Sequence, residues 1–183
     1  MISHTPSQII RQGVIILAVS WLFGQTLAQA ADTYAIGDRG PAGGIVFYVK
    51  DGGLHGLEAA PEDQGSASWG CYGTYISGAV GTAISTGAAN TTAIVAGCAE
   101  PGIAARVASD YSINGFGDWF LPSKDELALL YAHRTVVGAF AYFDYWSSSQ
   151  LNGNNAWIQS FTSDSQSLDI KYAAFSVRAV RAF

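Results

Sequence analysis

The sequence predicts an α+β domain made of an opening β-hairpin, two or three short helices and a C-terminal antiparallel sheet. Three observations predict it. A β-branched and aromatic run, Gly44 to Lys50, meets the turn residues Asp51-Gly52-Gly53 and then a second short run ending at Ala60, which is the pattern of strand, turn and strand. The middle of the chain holds Ala-rich segments bounded by helix start and stop residues. Near the C-terminus, Tyr145–Ser148, Ala156–Phe161, Ser167–Tyr172 and Ser176–Ala182 are short apolar runs separated by Asn, Gly, Ser or Asp, as an antiparallel meander requires.

Ahead of the hairpin, a polar segment carrying Arg11 leads into the apolar run Gly13–Phe23 and then into Ala28-Gln29-Ala30. This charged, apolar, small-residue order is that of a secretory signal, so residues 1–30 are expected to be a signal peptide cleaved after Ala30, and residues 31–183 the domain. A membrane anchor needs roughly 20 apolar residues, about twice the unbroken run present. No cysteine follows that run to take a lipid. The expected location is therefore secreted, periplasmic or cell-surface, with no membrane span after cleavage. Without Arg11 the domain carries 8 Lys and Arg against 14 Asp and Glu, a balance of 8 − 14 = −6. Nucleic acids and heavily sulfated glycans need a basic footprint, and no Lys or Arg cluster supplies one, so no nucleic-acid partner is expected.

The two cysteines, Cys71 and Cys98, both lie in the exported part, where an even pair is expected to form a disulfide. That bridge holds the Gly- and aromatic-rich loop from Trp69 to Gly81 and is worth about 3 kcal/mol in the chain-entropy account. Helices are expected over Thr86–Ala96, ended by Gly97, and from Pro101 to Ala108. A third begins at Ser123, where Ser123 and Glu126 have the spacing of a capping box and Leu127, Leu130 and Tyr131 supply the core face. The histidines outside the signal, His55 and His133, are far apart in sequence, and no Gly-x-Ser-x-Gly elbow or His-Glu-x-x-His helix accompanies them. Catalysis is not expected. Asn90-Thr91-Thr92 is a glycosylation acceptor only where a host has that machinery.

Gly117-Asp118-Trp119-Phe120-Leu121-Pro122-Ser123-Lys124-Asp125-Glu126-Leu127, followed by Tyr145-Trp146-Ser147-Ser148-Ser149, Asn155-Ala156-Trp157 and Val177-Arg178-Ala179-Val180-Arg181, resembles the C-type lectin-like superfold. Within it the chain is similar to the bacterial branch that includes the C-terminal domain of Legionella collagen-like adhesins and, more distantly, the formylglycine-generating enzymes. The resemblance implies that Trp119, Leu121, Trp146 and Trp157 are core, and that ligands meet the late strands and loops, the region that also varies in target proteins of diversity-generating retroelements. Here that region runs from Gln150 to Tyr172. It offers Asn152, Asn154, Asn155, Gln159, Asp164, Gln166 and Asp169 as hydrogen-bonding groups beside Trp157 and Tyr172, which suits a sugar ring with hydroxyls on its rim and C–H groups on its face. Asn and Gly between strands also form turns, and both readings stand.

The departures from these relatives carry equal weight. The Glu-Pro-Asn triplet and Trp-Asn-Asp run of calcium-dependent lectins are missing, so no cofactor is expected, although Asp164 and Asp169 are oxygen ligands of the kind calcium takes. The late cysteine pair of the formylglycine-generating enzymes is missing too. The acidic balance argues against the sulfated glycans that Legionella collagen-like domains bind. The expected function is an exported, adhesin-like binding module for a glycan or protein surface; the alternative is a non-catalytic structural or assembly module of a surface layer, fibre or larger adhesin, with oligomers possible.

Overall fold

The computed structural model describes residues 31–141 and 143–183; the expected signal peptide lies outside the described residues. Strand β1 (Ile45–Lys50) turns through Asp51–Gly53 into β2 (His55–Ala59), and β3 (Ser66–Ser68) follows. Helices α1 (Gly87–Gly97), α2 (Ala104–Ser109), α3 (Lys124–Ala132) and α4 (Arg134–Val137) occupy the middle of the chain. The C-terminal part holds β4 (Asp144–Gln150), β5 (Asn155–Ser160), β6 (Gln166–Ile170), β7 (Ala174–Ser176) and β8 (Val180–Ala182). The architecture is α+β, as the sequence predicts, with β3 and α4 as additions.

The hairpin forms for the expected reason: Gly52 sits at φ 69°, the left-handed region open to glycine at no steric cost. At α3 the capping box is complete. Ser123 Oγ accepts from Glu126 N–H at 3.3 Å, and the Glu126 carboxylate accepts from Ser123 N–H at 2.7 Å. The same carboxylate accepts from Ser85 N–H at 2.7 Å, so one side chain caps the helix and ties down the loop before α1. Burial pushes the Glu126 carboxyl above its ordinary range, opposed by these amide bonds.

The C-terminal run departs from a simple meander. Residues 176–182 do not make one strand of one sheet. β7 pairs with β3 antiparallel and with β4 in parallel, in a five-stranded sheet of order β3-β7-β4-β5-β6. β8 instead joins the opening hairpin in a three-stranded sheet of order β1-β2-β8. The connecting residues cross from one sheet to the other, and Ser176 to Arg181 are all buried. Their backbone bonds go to irregular neighbours: Val177 N–H to Gly65 O, Gln64 N–H to Val177 O, Ala60 N–H to Ala179 O, and a reciprocal pair between Phe120 and Val180. A strand pattern in sequence does not reveal such a crossing, because alternation is the same whichever sheet receives the strand.

Two arginines on this segment are satisfied internally. Arg178, 1 % exposed, donates from Nε to Asp63 at 2.7 Å, from Nη1 to Ala60 O at 3.0 Å, and from Nη2 to Ala139 O. Arg181 donates to Glu58 at 3.0 Å and to Asp118 at 2.5 Å, and this bond holds the Asp118 carboxyl below its ordinary range. Trp119, Leu121 and Trp146 are buried with Trp69, Ile94 and Val177 in one apolar cluster, and Phe47, Phe120, Leu130, Tyr145 and Val180 form a second. Trp157 does not join them: it alternates with the buried Ala156 and Ile158 and lies half-buried on the other face of β5. Its expected place in the core is therefore corrected.

Removing the Arg178 guanidinium leaves Asp63 without its counter-charge and takes a donor from the carbonyls of Ala60, Gly138 and Ala139. Arg178→Ala is expected to lower the unfolding free energy by about 3 kcal/mol in urea titrations, whereas Lys50→Ala on the exposed end of β1 changes it little.

Candidate functional site

The β5–β6 hairpin carries most of the residues expected to meet a ligand, and its geometry divides them. Asn155 is opposite Ile170 at one end and Gln159 is opposite Gln166 at the other. Four residues of strand separate these ends by roughly 13 Å. Asp164 belongs to the far turn, at φ 57°, and is exposed there as a turn former. Asp169 lies near the opposite end and accepts from the Ile170 amide at 2.7 Å, so the two carboxylates do not converge on one cation. Among the described residues, Cys71, Cys98 and Glu100 are the group with metal-ligand spacing, and their two sulfurs are joined to each other.

Gln159 is buried and donates from Nε2 to Ser160 O at 3.1 Å, which removes it from any ligand surface. Gln166 donates to Lys124 O at 2.8 Å and ties β6 to the start of α3. Trp157 faces the same way, opposite Leu168, with Lys124 Nζ 5.0 Å from its ring centre. The Lys124 stem and ammonium thus cover part of this indole.

The near end of the hairpin, where the turn from β4 (residues 151–154) leads into β5, is different. Asn152 Oδ1 accepts from the amides of Asn154 and Asn155 at 2.8 and 2.9 Å, so the carbonyl oxygen of this exposed residue builds the turn. Asn154 is exposed beside it, and its backbone carbonyl accepts from Lys171 N–H at 2.9 Å. The loop that follows Cys71 lies against this turn, with Gly73 N–H donating to Gly153 O at 3.0 Å. As a result Tyr72 and Tyr172 meet edge to face, ring centres 5.0 Å apart, while 51 % and 62 % exposed. Tyr75 and Leu151 are exposed on the same two segments. Sequence reasoning missed Tyr72 and Tyr75, because nothing in a loop without periodicity tells which distant turn it will cover. The proximity of Tyr72 to an expected disulfide is the one available signal.

Three features hold the Cys71 loop. The Cys71–Cys98 disulfide joins it to the end of α1, with Cα atoms 5.8 Å apart. Gly70 is required beneath it, since a Cβ there meets Ile103 Cγ2 at 2.4 Å and the backbone sits at φ 95°. Lys171, fully buried, reaches up from the hairpin and donates to Thr74 O at 2.9 Å and to Gln150 Oε1 at 2.8 Å, with Nζ 4.1 Å from the Trp69 ring centre. Among the described residues no carboxylate pairs with it, and burial pulls its ammonium down to about 8. The sequon asparagine is also structural: Asn90 is buried and donates to Gly81 O and Ser148 Oγ, out of reach of a glycosylating enzyme in the folded state.

The fold and this end define a disulfide-tied α+β domain that presents tyrosine rings and side-chain amides on a turn. The chain belongs to the Lcl C-terminal domain family, whose match spans residues 66–181 and so begins at β3 and ends in β8. This is the Legionella collagen-like branch; the likeness to formylglycine-generating enzymes gains no support from it. No curated protein matches the chain. Among solved structures, a fimbrial protein from Bacteroides ovatus ATCC 8483 is similar, with a TM-score of 0.49 at 14 % identity; the match covers 70 % of this chain and 36 % of that one. Among the described residues no helix is long and apolar enough to cross a membrane.

The lowered Lys171 value has a definite consequence. Between pH 8 and the ordinary lysine range near 10.5 the unfolded chain holds more protons than the folded one, so folded-state stability rises with pH across that window. Thermal melts of the wild type and Lys171→Met are expected to diverge there: the wild type gains on the variant from pH 8 to 10, and their difference is flat from pH 6 to 7. Groups titrating in both proteins cancel in the difference.

Proposed function

We propose that this protein is an exported recognition module that uses the Tyr72–Tyr172 end of the β5–β6 hairpin to hold a neutral glycan. The observation that carries the reading is the pair of exposed tyrosine rings in edge contact, bordered by Asn152 and Asn154. Large rings left in solvent on a turn contribute little to the core, whereas a sugar covers their apolar faces and takes hydrogen bonds from amide and phenol groups. The acidic balance of the domain favours neutral over sulfated sugars. Membership of an adhesin-associated family supports a role at a surface, and the disulfide supports export.

Binding is favoured over catalysis by the placement of the titratable groups. His55 lies 3.4 Å from Asp51 across the exposed hairpin turn, and His133 follows α3 as its C-terminal cap. Neither belongs to the tyrosine end. A protein partner is the second reading, favoured by the exposed Tyr75 and Leu151, which extend the patch beyond what one sugar ring covers; it accommodates assembly into a fibre or surface layer.

A glycan array probed with the purified protein is expected to show neutral glycans retained over sulfated ones. Tyr172→Ala and Tyr72→Ala each weaken that binding about tenfold, the scale of one stacked ring, with melting temperatures little changed. Glycan binding untouched by both variants, or confined to sulfated sugars, contradicts the reading. Loss of self-association in these variants, with no glycan retained by the wild type, favours the assembly alternative.

A further inference from the structure

The far side of the five-stranded sheet holds a second feature, separate from the tyrosine end. An open cavity of about 650 Å³ lies where β3, β7 and the start of β4 meet, with Asp63, Ser66, Phe143, Asp144, Thr162 and Phe175 in its wall. The volume falls in the range of small-ligand sites. Asp144 pairs in register with Ser160, at the end of β4 away from the Asn152 turn, so the two features occupy opposite ends of the sheet.

The charge of this cavity is one-sided. Among the described residues, no Lys, Arg or His lines it. Asp63 is already matched, since it accepts from Arg178 at 2.7 Å and from the Tyr145 hydroxyl at 2.6 Å. The Arg178 guanidinium is spent in turn on Asp63 and on the carbonyls of Ala60, Gly138 and Ala139. Burial and the Asp63 carboxylate hold the Tyr145 phenol above its ordinary range, so it stays a neutral donor to Asp63. What remains is Asp144, whose carboxylate has no hydrogen-bond or ion-pair partner among the described residues. Beside it Phe143 stands 68 % exposed at the rim, and Phe175 is half-buried in the wall with its ring against Trp146. The remaining wall is small or hydroxylic: Gly65, Ala141 and Ala174 with Ser66, Thr162 and Ser176.

We infer that this cavity is a second binding site and that it takes a lysine side chain of a protein partner. An unmatched carboxylate attracts a single cation, two phenylalanine rings suit an ammonium and the four-carbon stem behind it, and the hydroxyls accept its remaining N–H bonds. A sulfate or carboxylate finds no free donor of opposite charge there. A neutral sugar gains nothing from the charge of Asp144, whereas an ammonium does.

The probes are Nα-acetyl-lysine methylamide, its norleucine counterpart, which keeps the stem and lacks the ammonium, and glucosamine, each titrated into 15N-labelled protein. The lysine probe is expected to shift the amides of Ser66, Phe175 and Ser176 and leave Tyr72 and Tyr172 unmoved, and Asp144→Asn to weaken it about tenfold, the scale of one charge-assisted bond. Phe143→Ala, at an exposed position that does not threaten folding, is expected to weaken it as well. The inference is overturned if the lysine probe produces no shifts, if norleucine binds as tightly, if glucosamine is preferred, or if Asp144→Asn binds like the wild type. Shifts at Tyr72 and Tyr172 with neutral glycans belong to the other end, so either site can fail without the other.

Discussion

The buried Arg178–Asp63 pair, set in the crossing segment Ser176–Arg181, is the interaction on which the rest of the structure depends. An arginine held away from water is costly unless every donor is used. Here its donors reach Asp63 and three backbone carbonyls, drawn from the stretch after β2 and from the loop between α4 and β4. Three parts of the chain remote in sequence are thereby joined at one guanidinium. Arg181, three residues on, does the same for β2 and the approach to α3 through Glu58 and Asp118. The segment runs from β7 in one sheet to β8 in the other, so the relative placement of the two sheets depends on how it is satisfied.

The surface follows from that frame. Once β4 and β5 are fixed against the seam, the Asn turn between them lies at the end of the sheet where β6 finishes, and the disulfide, Gly70 and Lys171 bring the Cys71 loop against it. The lysine is a polar strut: it satisfies Thr74 O and Gln150 Oε1 at the expense of burying an ammonium with a ring and carbonyls for company. The loop it supports is where Tyr72 and Tyr75 lie.

Much of the fold was legible in the sequence because local chemistry decided it. The hairpin turn at Gly52, the capping box of Ser123 and Glu126, and the pairing of the only two cysteines each rest on residues that have few alternatives. Trp119 and Trp146 were legible as core for the same reason. What was not legible depended on long-range partners. Trp157 looks like a core aromatic, but strand alternation leaves its face undetermined until β5 pairs with β4 and β6, and that pairing turns it toward Lys124. The division of residues 176–182 between two sheets was hidden likewise. The amides between Gln150 and Tyr172 read as one group because they are neighbours in sequence, whereas a hairpin sends such neighbours to opposite ends: Asn152 and Asn154 to the tyrosines, Gln159 to the interior and Asp164 to the far turn.

Hydrogen exchange at the crossing segment tests the central claim most directly. The amides of Val177, Ala179 and Val180, bonded to Gly65 O, Gln64 Oε1 and Phe120 O, are predicted to exchange only through global unfolding, as slowly as the amides between β4 and β5. Exchange of these three at the rate of exposed loop amides, while β4 and β5 remain protected, would show that the sheets open independently and that the arginine-bearing segment is not what unites them.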